Sequence, residues 1–305
     1  MQGWFIKNAF LKADSFLETE RLMLETAHSL DVDLQVKTNA DLLCRLGDFP
    51  KSSLLLDDDL PNFVIFWDKD VRLATYLENQ GVKVYNSAKS IELCDDKSLM
   101  YECLANHQVT IPKTIVLPKT YGLWGYGDYS WLEKSVRDLG FPLVLKECFG
   151  SWGEQVHLIE DEPNLHKQLS SLSGRPAVLQ EYIAQSYGCD IRVYVLGERC
   201  AAAIKRTSPE GVFSSARMAG SQAELYSLSS EEEVIALRAA RILGLDFGSV
   251  DLFCTDSQNP VVCEVNSNPQ FSAVSKIKKD NIILDGIINY IVENFLEGNR
   301  ELCGK

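Results

Sequence analysis

Residues 249–266 read SVDLFCTDSQNPVVCEVN, two short apolar runs separated by a polar stretch. The runs Ser249–Cys254 and Val261–Val265 have the length and residue types of β-strands. The connection Thr255–Pro260 is short and contains Asp, Ser, Asn and Pro, which favour turns. The stretch therefore predicts two strands that are close enough in sequence to pair with each other.

Three polar side chains fall on one face of this predicted strand pair. Residues two apart in a strand share a face, so Glu264 and Asn266 point the same way, and pairing brings Asp251 beside them. Two carboxylates and an amide oxygen make the all-oxygen ligand set that Mg²⁺ or Mn²⁺ prefers, and the carboxylates would repel each other without a cation between them. Single acids beside apolar strands are often only solvated, but three on one face predict a metal site formed by Asp251, Glu264 and Asn266.

Patterns of the same kind recur along the chain and predict three modules of mixed α/β (α+β) type, residues 1–92, 93–176 and 177–305. Strand patterns lie at Trp4–Ile6, Val32–Val36, Asn62–Trp67, Val82–Tyr85, Ile111–Leu117, Leu143–Cys148, Val156–Ile159, Ala177–Ile183, Ile191–Gly197 and Arg199–Lys205. Helical patterns separate many of them, and Ser230 with Glu233 has the S-x-x-E spacing of a capping box. In the first module strands alternate with helices, which favours a small parallel sheet.

The charge of the chain excludes some classes of partner. The 305 residues carry 30 Lys and Arg against 43 Asp and Glu, a formal net charge of -13. Binding to nucleic acid in general or to an anionic membrane needs a positive field, whereas binding a small anion needs only one locally basic pocket. No run of about 18 apolar residues occurs, and charges interrupt the apolar N-terminal stretch, so we expect neither a membrane span nor a signal peptide.

The cysteines favour a reducing compartment. There are nine, an odd number, without a C-x-x-C pair and without clustering around the four histidines. We therefore expect a cytoplasmic protein with buried free thiols, and neither a disulfide framework nor a zinc site.

Basic residues stand at the ends of strand patterns in this acidic chain. Lys146 ends an apolar strand and is followed at once by the loop FGSWG at 149–153. Such glycine-bearing loops let backbone N–H groups approach a phosphate closely. Lys97 lies in DDKSL at the start of a predicted helix, and Arg206 ends another strand. The loop spacing is not that of a Walker A motif and the chain has no G-x-G-x-x-G, so a P-loop NTPase and a dinucleotide-binding protein are disfavoured.

The order of these motifs resembles the ATP-grasp superfamily and, within it, the RimK-type glutamate ligases. The order is K…K-x₃-G-x₂-G…QEYI-x₆-DIR…KR…D-x₁₂-E-x-N, and the segments QEYI, GCDIR, AAAIKR, EGVF, LGLDFGSVDL and CEVNSNP are similar to that family. The likeness covers residues 95–275 and is densest from 178 to 270. Residues 1–90 fit more loosely, as the Rossmann-like α/β domain that precedes an ATP-grasp core.

The resemblance implies a role for each of these positions. Lys97 and Lys146 would contact the nucleotide, and Gly150, Ser151 and Gly153 would belong to a mobile loop, or flap, over the phosphates. Adenine would be held by Glu181, Tyr182 and Ile183, and the ribose by Asp190. The metal ligands would be Asp251, Glu264 and Asn266, and the catalytic or substrate-facing cations would be Arg206, Arg192 and Arg217. The implied cofactors are ATP and two Mg²⁺ or Mn²⁺ ions.

The implied activity is that of an ATP-dependent, ADP-forming carboxylate–amine ligase that makes an amide bond through an acyl phosphate. The acceptor would be a peptide, a protein or a small molecule, and the added amine an amino acid such as glutamate. Neither nucleic acid nor membrane is an expected partner, and the formation of a homo-oligomer is left open.

Two departures from the family pattern keep other functions open. Ser214-Ser215-Ala216 stands where the family usually has Arg-Ser-Asn, with Arg217 directly after it, and Gln155 stands at a family glycine. One alternative is a ligase or cyclase that modifies a ribosomal precursor peptide. Another is a non-catalytic nucleotide-binding regulator on the same scaffold, which would not need the complete metal set.

Overall fold

The computed structural model describes residues 1–47, 53–54, 59–151, 153–209, 213, 221–278 and 281–303. The strands within them are β1 (Gln2–Lys7), β2 (Asp33–Thr38), β3 (Cys44–Arg45), β4 (Ser53–Leu54), β5 (Phe63–Trp67), β6 (Lys83–Tyr85), β7 (Thr114–Val116), β8 (Leu143–Glu147), β9 (Val156–Ile159), β10 (Ala177–Glu181), β11 (Cys189–Leu196), β12 (Arg199–Thr207), β13 (Gln222–Leu225), β14 (Phe247–Phe253) and β15 (Val262–Asn266). The α-helices are α1 (Asp14–Ser29), α2 (Val71–Asn79), α3 (Ala88–Asp95), α4 (Lys97–Asn106), α5 (Leu132–Leu139), α6 (Glu162–Ser171), α7 (Ser230–Ile242), α8 (Ser272–Lys278) and α9 (Ile282–Cys303), with a 3₁₀ turn at Ala184–Ser186.

The N-terminal sheet is parallel, with strand order β2-β1-β5-β6. All five residues of β5, FVIFW, are buried, as expected for a parallel strand covered on both faces. Gly3 on β1 lies under the ring of Phe63, where an added Cβ would come within 2.3 Å of the ring. The four strands run the same way, so the segments that follow their carboxyl ends, including Asp68 and Lys69 after β5, gather at one edge of the sheet.

The central sheet is antiparallel, with strand order β7-β10-β8-β9. One face packs α5 and α6 on a core that includes Leu143, Leu145 and Leu179. The alternate residues of β8 therefore project from the opposite face. Strand β10, which the sequence analysis assigned to the third module, pairs with both β7 and β8 and so belongs to this sheet.

The C-terminal sheet is antiparallel, with strand order β13-β12-β11-β14-β15. Helix α7 covers one face, and α9 packs on the other, next to the N-terminal sheet. Trp67 of the N-terminal sheet lies 5.0 Å, between ring centroids, from Phe271 in this shared core. The predicted pairing of β14 with β15 is confirmed, with Asp251 directly opposite Glu264.

Some local predictions differ from the structure. The capping box lies one residue earlier than predicted, because Ser229 accepts from the N–H of Glu232 and the Glu232 carboxylate accepts from the N–H of Ser229. Not all thiols are free, since Cys189 and Cys254 form a disulfide. Their neighbours Asp190 and Phe253 are paired residues of β11 and β14, so the register brings the two cysteines together. No helix in the described part of the chain combines the length and hydropathy that crossing a bilayer requires.

Candidate functional site

A pocket of about 870 Å³, counting the open space at its mouth, lies between the central and C-terminal sheets. One wall is formed by β8, β9 and β10, and the other by β11, β14 and β15. Every residue that the sequence analysis assigned to nucleotide binding lines it, together with two of the proposed metal ligands: Lys97, Lys146, Gly150, Ser151, Gly153, Glu181, Tyr182, Ile183, Asp190, Asp251 and Glu264. The fold therefore brings together residues that are spread over more than 160 positions of sequence.

Lys146 is a buried cation at the centre of the first wall. It is 6% exposed, and its Nζ donates to the hydroxyl of Tyr101 at 2.9 Å. The Tyr101 hydroxyl in turn donates to the backbone carbonyl of Cys263 at 2.7 Å, so this hydroxyl is fixed in place. Burial acts to lower the pKa of Lys146, but neighbouring groups, among them Tyr101 and Glu264, outweigh it and the pKa lies above the ordinary lysine value. No carboxylate in the described part of the chain lies within 4 Å of its Nζ.

Lys97 and Glu264 form an ion pair beside Lys146. Lys97 is the first residue of α4, behind the N-cap Asp96, and its Nζ lies 3.2 Å from Glu264 Oε1 and 3.4 Å from the carbonyl oxygen of Gly150. Burial acts to raise the pKa of the Glu264 carboxyl, but Lys97 and Lys146 outweigh it and the pKa falls below its ordinary value. We call Lys97, Lys146 and Glu264 the lysine cluster. It holds two cations and one carboxylate.

A second group of charges, at the second wall of the pocket, consists of two arginines and two carboxylates. Arg192 donates to both oxygens of Asp251, at 2.8 and 2.7 Å. Arg206 donates to Asp190 at 2.6 Å and to Asp251 at 3.0 Å. We call Asp190, Arg192, Arg206 and Asp251 the arginine cluster; the four side chains are all at most 14% exposed. Burial acts to raise the pKa of Asp251, but the two arginines outweigh it and lower that pKa.

The proposed metal ligands lie side by side on β14 and β15. Asp251 opposes Glu264, and Asn266, two residues further on, opposes Ser249. Asn266 has a buried amide atom and Ser249 a buried hydroxyl without a hydrogen-bond partner among the described residues. The unpartnered amide atom of Asn266 is its nitrogen Nδ2, an N–H donor, so this atom does not itself attract a cation. The oxygens of Asp251, Glu264 and Asn266 are the ligands that fit a hard divalent cation. In the described residues no three His, Cys, Asp or Glu side chains cluster as metal ligands, so a site here requires the amide of Asn266.

The opposite end of the pocket is apolar. Glu181 ends β10, where its N–H donates to the carbonyl of Lys113 at 3.0 Å and its carboxylate accepts from the N–H of Lys113 at 2.8 Å. The ring of Tyr182 lies 6.0 Å from that of Phe213. Val144 and Phe213 line this end, whereas Val156 and Phe253 lie beside Lys146. Val156 is the partner of Lys146 in the β8–β9 pair, and the ring centroid of Phe253 is 6.0 Å from its Nζ. Apolar walls beside a strand end suit a planar ring with polar edges.

Three described residues of the loop at 149–155, Gly150, Ser151 and Gly153, line the pocket, and the carbonyl of Gly150 accepts from Lys97 of the lysine cluster. Gly153 has φ of +69°, a left-handed conformation that favours glycine. Gln155 turns its side chain against Gly150 and leaves its Oε1 buried without a partner among the described residues. The side-chain hydroxyl of Ser151 accepts a hydrogen bond from Lys69 Nζ at 3.3 Å.

Sequence reasoning missed several lining residues, and alternation along the strands could have found some of them. Val144 is two residues from Lys146, and Phe253 two from Asp251, so each shares a face with a residue already chosen. Gln180 lies opposite Val144 in the β8–β10 pair. All three line the pocket.

The predicted Arg217 and the departure Ser214-Ser215-Ala216 lie outside the described residues. The thiols near the pocket are poor nucleophiles, because burial raises the pKa of Cys148 to about 11 and that of Cys263 to about 12. Both thiols are therefore protonated at neutral pH.

Sequence similarity to known proteins extends over most of the chain. It is 31% identical over 280 residues to an uncharacterised protein of Mycoplasma pneumoniae, covering 90% of this chain and 94% of that one. It is 31% identical to human beta-citrylglutamate synthase B, covering 76% of this chain but only 58% of the synthase. It is 33% identical to a probable alpha-L-glutamate ligase of Shewanella frigidimarina, covering 71% and 70% of the two chains.

Comparisons of structure and of family pattern agree with the resemblance that the motifs indicated. The RimK domain ATP-grasp protein of Sphaerobacter thermophilus superimposes with a TM-score of 0.67 at 17% identity, covering 96% of this chain and 100% of that one, which shows a shared fold. The sequence model of the RimK-like ATP-grasp domain matches residues 94–291, more than half of the chain. The chain therefore belongs to the RimK-like ATP-grasp family.

Proposed function

We propose that this protein is an ATP-dependent carboxylate–amine ligase whose nucleotide lies in the pocket between the central and C-terminal sheets. Lys146 carries the proposal. It is a buried, positively charged side chain that faces the pocket with no described carboxylate within 4 Å. A buried charge without a partner is costly, so the site is suited to an anion that supplies one. The phosphates of ATP would supply it.

In this proposal each end of the pocket binds one part of ATP. Adenine would lie against the apolar end, with its polar edge at the backbone of Glu181, Tyr182 and Ile183. Lys97 and Lys146 would contact the phosphates under Gly150, Ser151 and Gly153. Asp190 would reach the ribose, although Arg206 already binds its carboxylate in this structure.

The cations assigned to catalysis would act in different ways. Arg192 and Arg206 are bonded to carboxylates, so we assign them to holding Asp251 and Asp190 in position. Arg217 remains our candidate for a substrate-facing cation. We also keep the three modules 1–92, 93–176 and 177–305 as units of the proposal, with Ala177–Glu181 moved to the central module because of its pairing.

Asp251, Glu264 and Asn266 would hold two divalent cations at the phosphate end of the pocket. A cation bound there would neutralise negative charge on the phosphate oxygens. Glu264 is the more accessible of the two carboxylates, with a side chain 27% exposed against 4% for Asp251. A cation would therefore approach through Glu264.

The chemistry requires charge stabilisation but no protein nucleophile. An oxygen of the acid substrate's carboxylate attacks the γ-phosphorus, the bond to the β,γ-bridging oxygen breaks, and ADP leaves. The amine then attacks the acyl carbon, loses a proton and expels inorganic phosphate. Lys97 and Lys146 would stabilise charge on the transferring oxygens in the first step. The loop at 149–155 would exclude water, which would otherwise hydrolyse the acyl phosphate.

We propose glutamate as the amine substrate. Two relatives with more than 30% identity carry glutamate in their names, beta-citrylglutamate synthase B and a probable alpha-L-glutamate ligase. The chain spans little more than half of the human synthase, so the acid substrate is best sought with a panel that contains citrate, N-acetylaspartate and peptides with free carboxyl ends.

The test is ADP release by the purified protein with Mg·ATP, glutamate and each acid in turn, with mass spectrometry of the products. We expect ADP and an amide of glutamate with at least one acid, and little of either from Glu264→Gln. Without glutamate, the active acid should give slow ADP release and a hydroxamate when hydroxylamine is added.

Two outcomes would contradict the proposal. Release of AMP and pyrophosphate would indicate an adenylating enzyme. Binding of Mg·ATP without any nucleotide product, whatever acid or precursor peptide is offered, would indicate a nucleotide-binding regulator.

A further inference from the structure

Lys69 connects the N-terminal sheet with the phosphate end of the pocket. It lies two residues after β5, at the carboxyl edge of the parallel sheet, where α/β sheets commonly bind ligands. Its backbone position is fixed by Asp68, which is 8% exposed and accepts from the N–H of Lys69 at 2.8 Å and from the side chain of Asn8 at 3.2 Å.

The side chain of Lys69 reaches across to two other elements. Its Nζ lies 2.6 Å from Asp95 Oδ1, at the end of α3, and 3.3 Å from Ser151 Oγ, in the loop at 149–155. The side chain is 33% exposed and that of Asp95 19%, so solvent screens this pair only partly. Lys69 is also close enough to Glu264 to lower the pKa of that carboxyl.

Two lysines from different modules thus hold neighbouring residues of one loop. Lys97 of the ATP-grasp core donates to the carbonyl of Gly150, and Lys69 of the N-terminal module donates to the hydroxyl of Ser151. Gly150 and Ser151 both line the pocket. Lys69 therefore contacts the part of the loop that would cover the phosphates.

We propose that Lys69 is a positioning residue of this ligase that holds the phosphate-covering loop through Ser151, and so links the N-terminal module to closure of the pocket. The inference rests on the proposed function, since the loop covers an acyl phosphate only if one is made. A loop that is held from both modules excludes water better than one held from the core alone. Loss of Lys69 should therefore expose the intermediate to hydrolysis more than it weakens nucleotide binding.

The experiment uses the full chain and Mg²⁺ with the non-hydrolysable analogue AMPPNP. Amide hydrogen exchange of the loop is followed with and without analogue in the wild type and in Lys69→Met, while calorimetry measures analogue binding. In the complex, we expect loop exchange to be about tenfold faster in Lys69→Met, the effect of losing one charge-assisted hydrogen bond. Analogue affinity should change much less.

Matched variants distinguish positioning from general damage. Lys69→Arg keeps a cationic donor and should restore loop protection. Ser151→Ala should reproduce the loss of loop protection seen in Lys69→Met, and the double variant should add little to that loss, because both remove the same contact. Lys89→Met, which removes an exposed lysine paired with Glu92, should leave the loop unchanged.

Turnover gives a second measurement. With the acid that proves active, Lys69→Met should release about tenfold more ADP per molecule of amide formed. If Lys69→Met showed the same loop protection and the same ratio of ADP to amide as the wild type, the inference would be overturned and the proposed function would remain intact. A wild-type protein that does not bind Mg·AMPPNP would overturn the proposed function, and the inference with it.

Discussion

The arginine cluster and the lysine cluster meet where Asp251 of β14 lies opposite Glu264 of β15, and they differ in how their charges are compensated. The arginine cluster has two guanidinium groups and two carboxylates, joined by hydrogen bonds of 2.6 to 3.0 Å. The lysine cluster has two ammonium groups and only one carboxylate, Glu264, at 3.2 Å from Lys97. One cluster is complete within the chain, and the other has an excess of positive charge.

This difference separates cations that hold neighbouring carboxylates in position from a cation that is left for a ligand. Burying a charge is expensive unless a partner lies close by. In the arginine cluster the chain supplies every partner, so the cluster stabilises the fold and fixes Asp251. In the lysine cluster the partner of Lys146 has to come from outside, which is the property of an anion site. The clusters should therefore respond in opposite ways when one cation is removed from each.

The largest effect is expected from Arg192→Met, which removes one of the two arginines that bind the buried carboxylate of Asp251. Breaking a buried ion pair from one side costs about 3–5 kcal/mol. Urea denaturation followed by circular dichroism should show a loss of this size in the free energy of unfolding. The control is Arg137→Met, an arginine 71% exposed and paired with Glu133 on the same helix, for which about 0.5 kcal/mol or less is expected. Equal losses in the two variants would mean that the arginine cluster does not stabilise the fold.

A smaller effect, on binding rather than folding, is expected from Lys146→Met. Loss of a charge-assisted contact with phosphate should cost about 1.5–3 kcal/mol, or tenfold or more in the Kd of Mg·AMPPNP measured by calorimetry. The free energy of unfolding without nucleotide should fall much less than in Arg192→Met, because Lys146 donates to the uncharged hydroxyl of Tyr101 and has no described carboxylate within 4 Å.

Lys89→Met provides the surface control for this measurement, since Lys89 is 69% exposed and pairs with Glu92. It should change neither the Kd nor the unfolding free energy appreciably. If Lys146→Met were to destabilise the protein and leave the Kd unchanged, Lys146 would be a structural residue, and the contrast between the clusters would be lost.

The sequence predicts the parts of these clusters that depend on local pattern. The strands β14 and β15 alternate apolar and polar residues and are joined by a short connection, so the meeting of Asp251 with Glu264 could be predicted. Alternation also implies Val144 and Phe253 as lining residues, because each lies two positions from a residue already assigned to the pocket.

Contacts between distant segments could not be predicted in this way. Arg192 and Asp251 are 59 positions apart, and Lys69 and Ser151 are 82 apart. Their meeting depends on the order of strands in the sheets and on the packing of one module against another, neither of which leaves a local periodicity. The same holds for the disulfide between Cys189 and Cys254, which are 65 positions apart. The odd number of cysteines gave no indication that these two would pair.

The smallest effect is expected from pH, because neither cluster should change its charge over a wide range. Burial acts to lower the pKa of Lys97 and of Lys146, but neighbouring groups, among them Glu264 and Tyr101, outweigh it and raise both. A raised lysine pKa means that the contribution of the charged form is complete below about pH 10.4 and is lost only as the pH rises through the raised value. The lowered pKa of Asp251 means that its contribution is complete above about pH 3.9 and is lost only as the pH falls through the lowered value.

The Kd of Mg·AMPPNP should therefore change by less than about twofold between pH 8.0 and 9.5 at constant ionic strength. The thiol of Cys263 beside Lys146 does not interfere, since burial raises its pKa to about 12. Binding that weakens about tenfold over this range in the wild type, but not in Lys146→Met, would mean that Lys146 titrates there. Burial would then outweigh its neighbours, and Lys146 would be largely neutral in the free protein at the upper end of that range. An uncharged amine in that position would need no anionic partner, and the contrast with the balanced arginine cluster would no longer point to a phosphate site.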